Sequence, residues 1–142
     1  MTKPNYGRRH RVVITGAGLL TPVGHGVEES WDSLLSGASG AGTITQFEAT
    51  EDFATRIACE VKGFDPSVYL AAKEVKRNDR FVQFAIAVAE EAMDSAGLGL
   101  PESRAGGPPQ RFGVIFASGI VGMYTFEEQT RGPLEISEMG YD

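Results

Sequence analysis

The chain has 142 residues, 42% of them apolar and 23% charged, and a formal charge of −6. That balance fits one globular domain and excludes a disordered or fibrous protein, while the acidic charge excludes a general nucleic-acid binder, which would carry a net basic footprint. No membrane span is expected: the charge-free run Val114 to Phe126 is broken by glycines and falls short of the roughly 18 apolar residues a span needs.

A single cysteine leaves no internal disulfide and no thiolate metal cluster, so the chain reads as cytoplasmic. Residues 1–8 read as a disordered tail. Arg8, Arg9, His10 and Arg11 imitate the basic start of a secretory signal, but Thr15, Gly16, Gly18, Thr21 and Pro22 interrupt the apolar stretch that would have to follow. Arg11 to Thr15, with Val12, Val13 and Ile14, reads as a short buried strand, which the next glycines turn. Val27 to Ser36 places Val27, Trp31, Leu34 and Leu35 at helical spacing, with Glu28 and Glu29 in the first turn and Gly37 to end it.

A small-residue loop, Gly37 to Thr45, precedes the alternating run Arg56 to Lys62, which predicts a half-buried strand with Ile57, Cys59 and Val61 on its apolar face. Asp65-Pro66 sets an N-cap before a proline at the first helical position and predicts a short turn through about Leu70. A longer helix is expected to begin between Lys73 and Asp79 and to end at Gly97. Phe81, Phe84, Ala85, Val88, Ala89, Ala92 and Ala96 make one apolar face, and Val82, Ile86 and Met93 make a second. Such a helix should be central and packed on both sides. Pro101 to Gln110 reads as a solvent loop, and Phe112 to Ala117 as a second buried strand running into Ser118 to Gly122. The order of elements points to an α/β sheet.

The stretch VVITGAGLLTPVGHG, Val12 to Gly26, opens like a dinucleotide-binding unit. The fingerprint needs a third glycine, and that position holds Thr21; Pro22 also stops a helix from leaving the loop directly. No acidic residue about twenty positions on follows a second clean strand. The NAD(P) reading is set aside on these grounds.

Taken together, Val12 to Gly18, Pro22-Val23-Gly24 and Trp31 to Leu35 resemble the opening of the β-ketoacyl-acyl carrier protein synthases. Lys73-Glu74, Asp79-Arg80-Phe81 with Gln83, and Gly113 to Gly122 continue the resemblance in order, and it is closest to the chain-elongating synthase II type of fatty acid synthesis. It runs from Arg9 to about Ser137 and covers about the first third of such an enzyme. The resemblance implies an α/β chain forming the N-terminal part of a thiolase-like fold, layered α/β/α/β/α and incomplete in residues 1–142, with residues 138–142 off the family's pattern. The intact enzyme would be a cytoplasmic homodimer that needs no metal, nucleotide or other cofactor and binds neither nucleic acid nor membrane.

Enzymes of this family load an acyl group from acyl carrier protein onto a cysteine and condense it with a malonyl thioester as carbon dioxide leaves. The chemistry needs a thiolate of lowered pKa and donors for the oxyanion and enolate. The family's cysteine and two histidines lie beyond the part of the pattern matched here, so no catalytic residue is expected in this chain. Cys59, in mid-strand on an apolar face, reads as a buried small hydrophobe. His10 among arginines and His25 in a glycine-rich loop read as exposed, non-catalytic positions, and Ser118 as a turn residue without a histidine partner.

Two features are candidates for binding. Lys73, Lys76 and Arg77 fall at i, i+3 and i+4, one face of a helix, with Arg80 a turn further. The resemblance assigns such residues to reception of the acidic acyl carrier protein; a solvated basic face beside Glu74 and Asp79 is the alternative. Ile120 stands where the family places a side chain lining the fatty acyl pocket, with core packing as its alternative; Val121 and Ala117 replace family glycines there. Leu134-Glu135 after Gly132-Pro133 replaces a basic pair that the family often carries.

The expectation is therefore a fragment of a 3-oxoacyl-[acyl-carrier-protein] synthase, inert alone, with a noncatalytic carrier-binding protein of the same family as the alternative. A fragment of this kind should expose a large apolar surface.

Overall fold

The computed structural model describes residues 11–99, 113–120 and 122–138, and of Tyr124 and residues 132–138 the backbone alone. The predicted tail 1–8, His10, the loop Pro101 to Gln110, Phe112, Val121 and residues 139–142 lie outside the described residues.

Among the described residues two antiparallel ribbons and four α-helices are formed. β1 (Leu20–Thr21) and β2 (Gly24–His25) pair across the Pro22-Val23 turn, with Leu20 opposite His25 and Thr21 opposite Gly24. α1 (Val27–Leu35) follows, with Ser36 as its C-cap and Gly37 at φ 75° closing it, a conformation open to glycine at no steric cost. β3 (Ala41–Thr43) pairs with β4 (Ile57–Cys59). The expected cap at Asp65 is present: its side chain accepts the N–H of Ser67 at 2.9 Å and opens a 3-10 turn, Pro66–Val68. Then come α2 (Ala72–Val75), α3 (Arg80–Ser95) and α4 (Met123–Glu138).

α3 is the axis of the packing. Ala87 and Gln83 on it are buried, as are Phe64 and, beneath β2, Ser30. The glycines of the opening motif cross it at very short range: a Cβ on Gly18 would stand 2.1 Å from the Val88 carbonyl oxygen, and one on Gly16 would stand 2.2 Å from that of Ala92. The motif is glycine-rich because a backbone lies directly on a helix there. Glu91, one turn beyond Ala87, completes the join. Its two carboxylate oxygens accept the N–H groups of Leu19 and Val27, each at 2.8 Å, so α3 caps α1, whose own N-cap residue Gly26 has no side chain to do so.

Several expectations are corrected. Arg11 to Thr15 and residues 113–118 form no strand, and they are not buried: Val12 is 90% exposed, Ile14 92% and Ile115 96%. A strand needs a neighbour for its N–H and C=O groups, and among the described residues none pairs with either run. β4 is shorter than Arg56 to Lys62, and its apolar face is turned outward, leaving Ile57 and Cys59 exposed, because no layer covers a two-stranded ribbon on that side. On α1, Trp31, Leu34 and Leu35 are exposed for the same reason.

The long helix begins at the late end of the expected Lys73 to Asp79 range, because Asp79 is extended (φ −60°, ψ 157°) between α2 and α3. Carbonyls freed by this break are met by the Gln83 amide, which donates to Val75 O at 3.0 Å and Asn78 O at 2.8 Å. α3 is also covered on one side only: the run Gly16 to Leu20 lies on one face, while a groove stays open on another. α4 was not anticipated from sequence, because Gly132-Pro133 reads as a breaker and yet lies inside the helix.

Candidate functional site

The basic turn sits between α2 and α3. The N–H groups of Arg77 and Asn78 both donate to the Glu74 carbonyl at 3.0 Å, so the helical path continues past Val75 long enough to keep Lys73, Lys76 and Arg77 on successive turns. All three side chains are exposed. The turn is anchored from beneath by Gln83, which is only 7% exposed. Asn78 adds a further clasp, its side-chain amide donating to Glu74 O at 2.9 Å.

Arg80 does not join this face as expected. Its guanidinium carbon lies 5.0 Å from the Phe84 ring centroid and 5.7 Å from that of Phe64, and Nη2 donates to Val61 O at 3.1 Å. Guanidinium over aromatic rings contributes about 0.5–2 kcal/mol, and here it locks α3 to the segment after β4. Phe64 gathers the rest of this cluster, stacked on Tyr69 with centroids 5.9 Å apart and edge-on to Phe84 at 5.1 Å.

Along α3 from Phe81 onward runs an open groove of about 650 Å³, with Phe81, Phe84, Ala85 and Val88 on its helix side and Val114 and Phe116 on the other. Ile120 does not line it; it is 73% exposed, in the turn where the Ser118 hydroxyl donates to the Ile120 carbonyl at 3.1 Å. Ser118 thus holds the turn role expected of it.

His25 is exposed and structurally engaged. Its Nε2 donates to Lys62 O at 2.8 Å, its backbone N–H donates to Glu29 at 2.6 Å, and its ring meets Phe64 edge-on. Cys59 is exposed, which corrects the expectation of a buried thiol. Among the described residues no group of three or more His, Cys, Asp or Glu side chains could hold a metal ion, and no helix is long and apolar enough to cross a membrane.

Two carboxyls are held below their ordinary values. Glu60 is lowered chiefly by the backbone N–H of Thr45, then by the Thr45 hydroxyl, with the Gln46 N–H and Lys62 adding to them. Asp65 is lowered by the Ser67 hydroxyl and then by the Ser67 N–H. Both shifts belong to loop closure: Glu60 ties the start of the β3–β4 loop at Thr45 and Gln46, and Asp65 caps the turn leading to α2.

An α/β chain with a central helix apolar on two faces, crossed by a glycine-rich run and leading into a basic turn, defines a class. The chain belongs to the beta-ketoacyl synthase family: residues 9–139 match its N-terminal domain. Its relatives narrow the class. It is 42% identical over 134 residues to 3-oxoacyl-[acyl-carrier-protein] synthase 2 of Coxiella burnetii, covering 91% of this chain and 31% of that one. It is 41% identical to the synthase 2 of Vibrio harveyi over the same shares, and 43% identical over 117 residues to that of Staphylococcus aureus strain COL, covering 82% and 27%. The chain therefore spans less than a third of the length of these relatives.

Among solved structures, the ishigamide ketosynthase/chain length factor matches with a TM-score of 0.58 at 43% identity, covering 64% of this chain and 22% of that one. The fold class is accordingly that of the ketosynthases, thiolase-like, of which the described residues form part.

The sequence did not show the role of Gln83, the withdrawal of Arg80, or a contact from Asp79 to α4. A polar Gln in the middle of an apolar helix face was the one available signal for the first.

Proposed function

We propose that this chain supplies the N-terminal part of a 3-oxoacyl-[acyl-carrier-protein] synthase acting in fatty acid synthesis, and that its share of the work is binding. The observation that carries the reading is the exposed basic turn: Lys73, Lys76 and Arg77 stand together on a clasped turn of a chain whose net charge is −6. A local cation cluster on an acidic protein suits an acidic partner, since complementary charge steers encounter and fixes orientation. Acyl carrier protein is that partner, docked at Lys73, Lys76 and Arg77. Ile120 would line the acyl pocket once the remainder of the fold surrounds it.

In the whole enzyme a cysteine thiolate attacks the acyl thioester and releases the carrier thiol. Decarboxylation of the malonyl thioester then leaves an enolate, whose carbon attacks the enzyme-bound acyl group and frees the cysteine. The cysteine and histidines that do this are assigned to residues outside this chain, so the chain alone is expected to be inert. The working enzyme is read as a homodimer in the cytoplasm.

The reading is tested by titrating labelled acyl carrier protein with the chain, then repeating the titration with K76E/R77E. Expected is salt-sensitive binding that the double charge reversal weakens on the order of tenfold or more. Binding indifferent to salt and to those substitutions would overturn the docking assignment. Stoichiometric acylation of Cys59 by acyl-carrier protein, read by mass spectrometry, would overturn the inert reading. A noncatalytic carrier-binding protein shares the same exposed turn. Intact mass of the endogenous protein separates the two: about three times 15.2 kDa supports the enzyme, and 15.2 kDa supports the binder.

A further inference from the structure

α3 opens on a residue suited to cap it that caps something else. Aspartate is favoured at an N-cap because its carboxylate accepts N–H groups of the first turn, and Asp79 occupies that position. Its backbone carbonyl accepts the N–H groups of Val82 and Gln83 at 2.9 and 3.2 Å, but its side chain makes no capping bond to α3. The carboxylate reaches α4 instead. Oδ1 accepts the hydroxyl of Thr125, 46 residues along the chain, and Oδ2 lies 3.2 Å from where a Cβ would stand on Gly122, which is at φ 65°. The first turn of α4 carries no acidic residue of its own, so Asp79 brings negative charge to the end of that helix where the dipole favours it.

On one side of this contact, Asp79 follows the basic turn directly, two residues beyond Arg77, and Gln83 binds that turn to α3 through Val75 and Asn78. On the other side, the Gly122 carbonyl accepts the Phe126 N–H at 2.8 Å, and Ile120 lies two residues before Gly122. Asp79 therefore bridges the turn that carries the cations and the start of α4, at Gly122 and Thr125.

We propose that Asp79 is a positioning residue, a joint that sets the Ser118–Ile120 turn relative to the basic turn, so that a protein docked on Lys73, Lys76 and Arg77 fixes where Ile120 stands. The coupling to acyl carrier protein rests on the docking reading above; the joint itself does not.

The test is amide hydrogen exchange at Phe126 in the full chain, comparing wild type with D79A, T125V and D79N. Without carrier, D79A and T125V are expected to speed exchange at Phe126 on the order of fivefold, the worth of one hydrogen bond. D79N keeps an acceptor oxygen and should restore most of the protection. Exchange at Arg77 and Asn78, whose N–H groups bind Glu74, should stay unchanged in all variants, which separates loss of the joint from general unfolding. With acyl carrier protein added, exchange at Phe126 should slow in wild type and D79N and not in D79A, even though D79A still binds the carrier. Unaltered exchange at Phe126 in both D79A and T125V would overturn the joint. Carrier that binds wild type without affecting Phe126 would overturn the coupling. Failure of wild type to bind carrier would overturn the docking reading and the coupling with it, while the variants measured without carrier still decide the joint.

Discussion

Gly18→Ala tests what the opening glycine motif is for. A Cβ at this position would stand 2.1 Å from the Val88 carbonyl oxygen and 3.0 Å from the Ala92 nitrogen, where ordinary contact begins at 3.4 Å. Both neighbours are helix backbone and cannot rotate away, and the backbone of Gly18 has no positive φ to complicate the change. The run must lift from α3, an overpacking cost of about 1–3 kcal/mol. Lifting also stretches the 2.8 Å bond from Leu19 N–H to Glu91, a further loss of about 1 kcal/mol. Alanine restricts the unfolded chain and returns about 0.4–1 kcal/mol, so the net destabilisation is about 1–3.5 kcal/mol. Followed by the helical circular dichroism signal in urea, that loss lowers the midpoint by about 0.3 M at the least, for slopes of about 1–3 kcal/mol per molar. Gly113→Ala is the control: nothing lies within 4 Å of its Cβ position, and it should stay within about 0.5 kcal/mol of wild type. A glycine kept for phosphate would give a different result, a stable alanine variant impaired only in ligand binding. A Gly18→Ala midpoint equal to that of Gly113→Ala would refute the packing argument.

Three other outcomes are expected. Glu91→Ala strips acceptors from the N–H groups of Leu19 and Val27 and should cost about 2–3 kcal/mol, with Glu91→Gln, which keeps one acceptor oxygen, losing about half as much; equal stability of all three in urea would count against the clasp. Glu60, lowered first by the Thr45 N–H from an ordinary value of 4.5, stabilises the ribbon at pH above that value and loses the contribution as pH falls through its folded pKa. The amide resonance of Thr45 should therefore titrate with a midpoint below 4.5, and a midpoint at or above 4.5 would contradict the contact. Cys59 is exposed, so a thiol reagent should modify it in the folded chain as fast as in urea; protection in the folded chain would restore the buried-thiol reading.

Legibility in the sequence followed the range of the interaction. Asp65-Pro66 and the helix end at Gly97 were readable because a cap involves neighbours only: Gly97 takes φ 67°, and the Leu98 N–H returns to Met93 O at 2.9 Å, the local geometry that glycine permits. The start of α3 was readable only as a range, Lys73 to Asp79, and it falls at the late end of that range. Nothing near Lys76 to Asp79 forbids a helix, and the choice rests on a Gln83 amide that satisfies Val75 and Asn78 and on a carboxylate drawn to Thr125. Lys73, Lys76 and Arg77 were found because they share a short segment, whereas the departure of Arg80 depended on Phe64 and Phe84, distant in sequence from each other.

The same distinction explains the misplaced faces. Alternation in Arg56 to Lys62 correctly marked Ile57 and Cys59 as one face, but alternation only says that two faces differ; which one is covered depends on a second layer. Val12 to Ile14 and Val114 to Phe116 were likewise read as buried strands from their residue types, and burial does not follow from residue type. Burial belongs to the assembly of layers. α3 makes this concrete: its two apolar faces require two covers, and the described residues lay Gly16 to Leu20 on one while the other borders the groove with Val114 and Phe116. A layered fold of the ketosynthase class provides for both. The open groove and the exposed run Val114 to Phe116 are thus one structural fact, a second face of α3 and the segment that borders it.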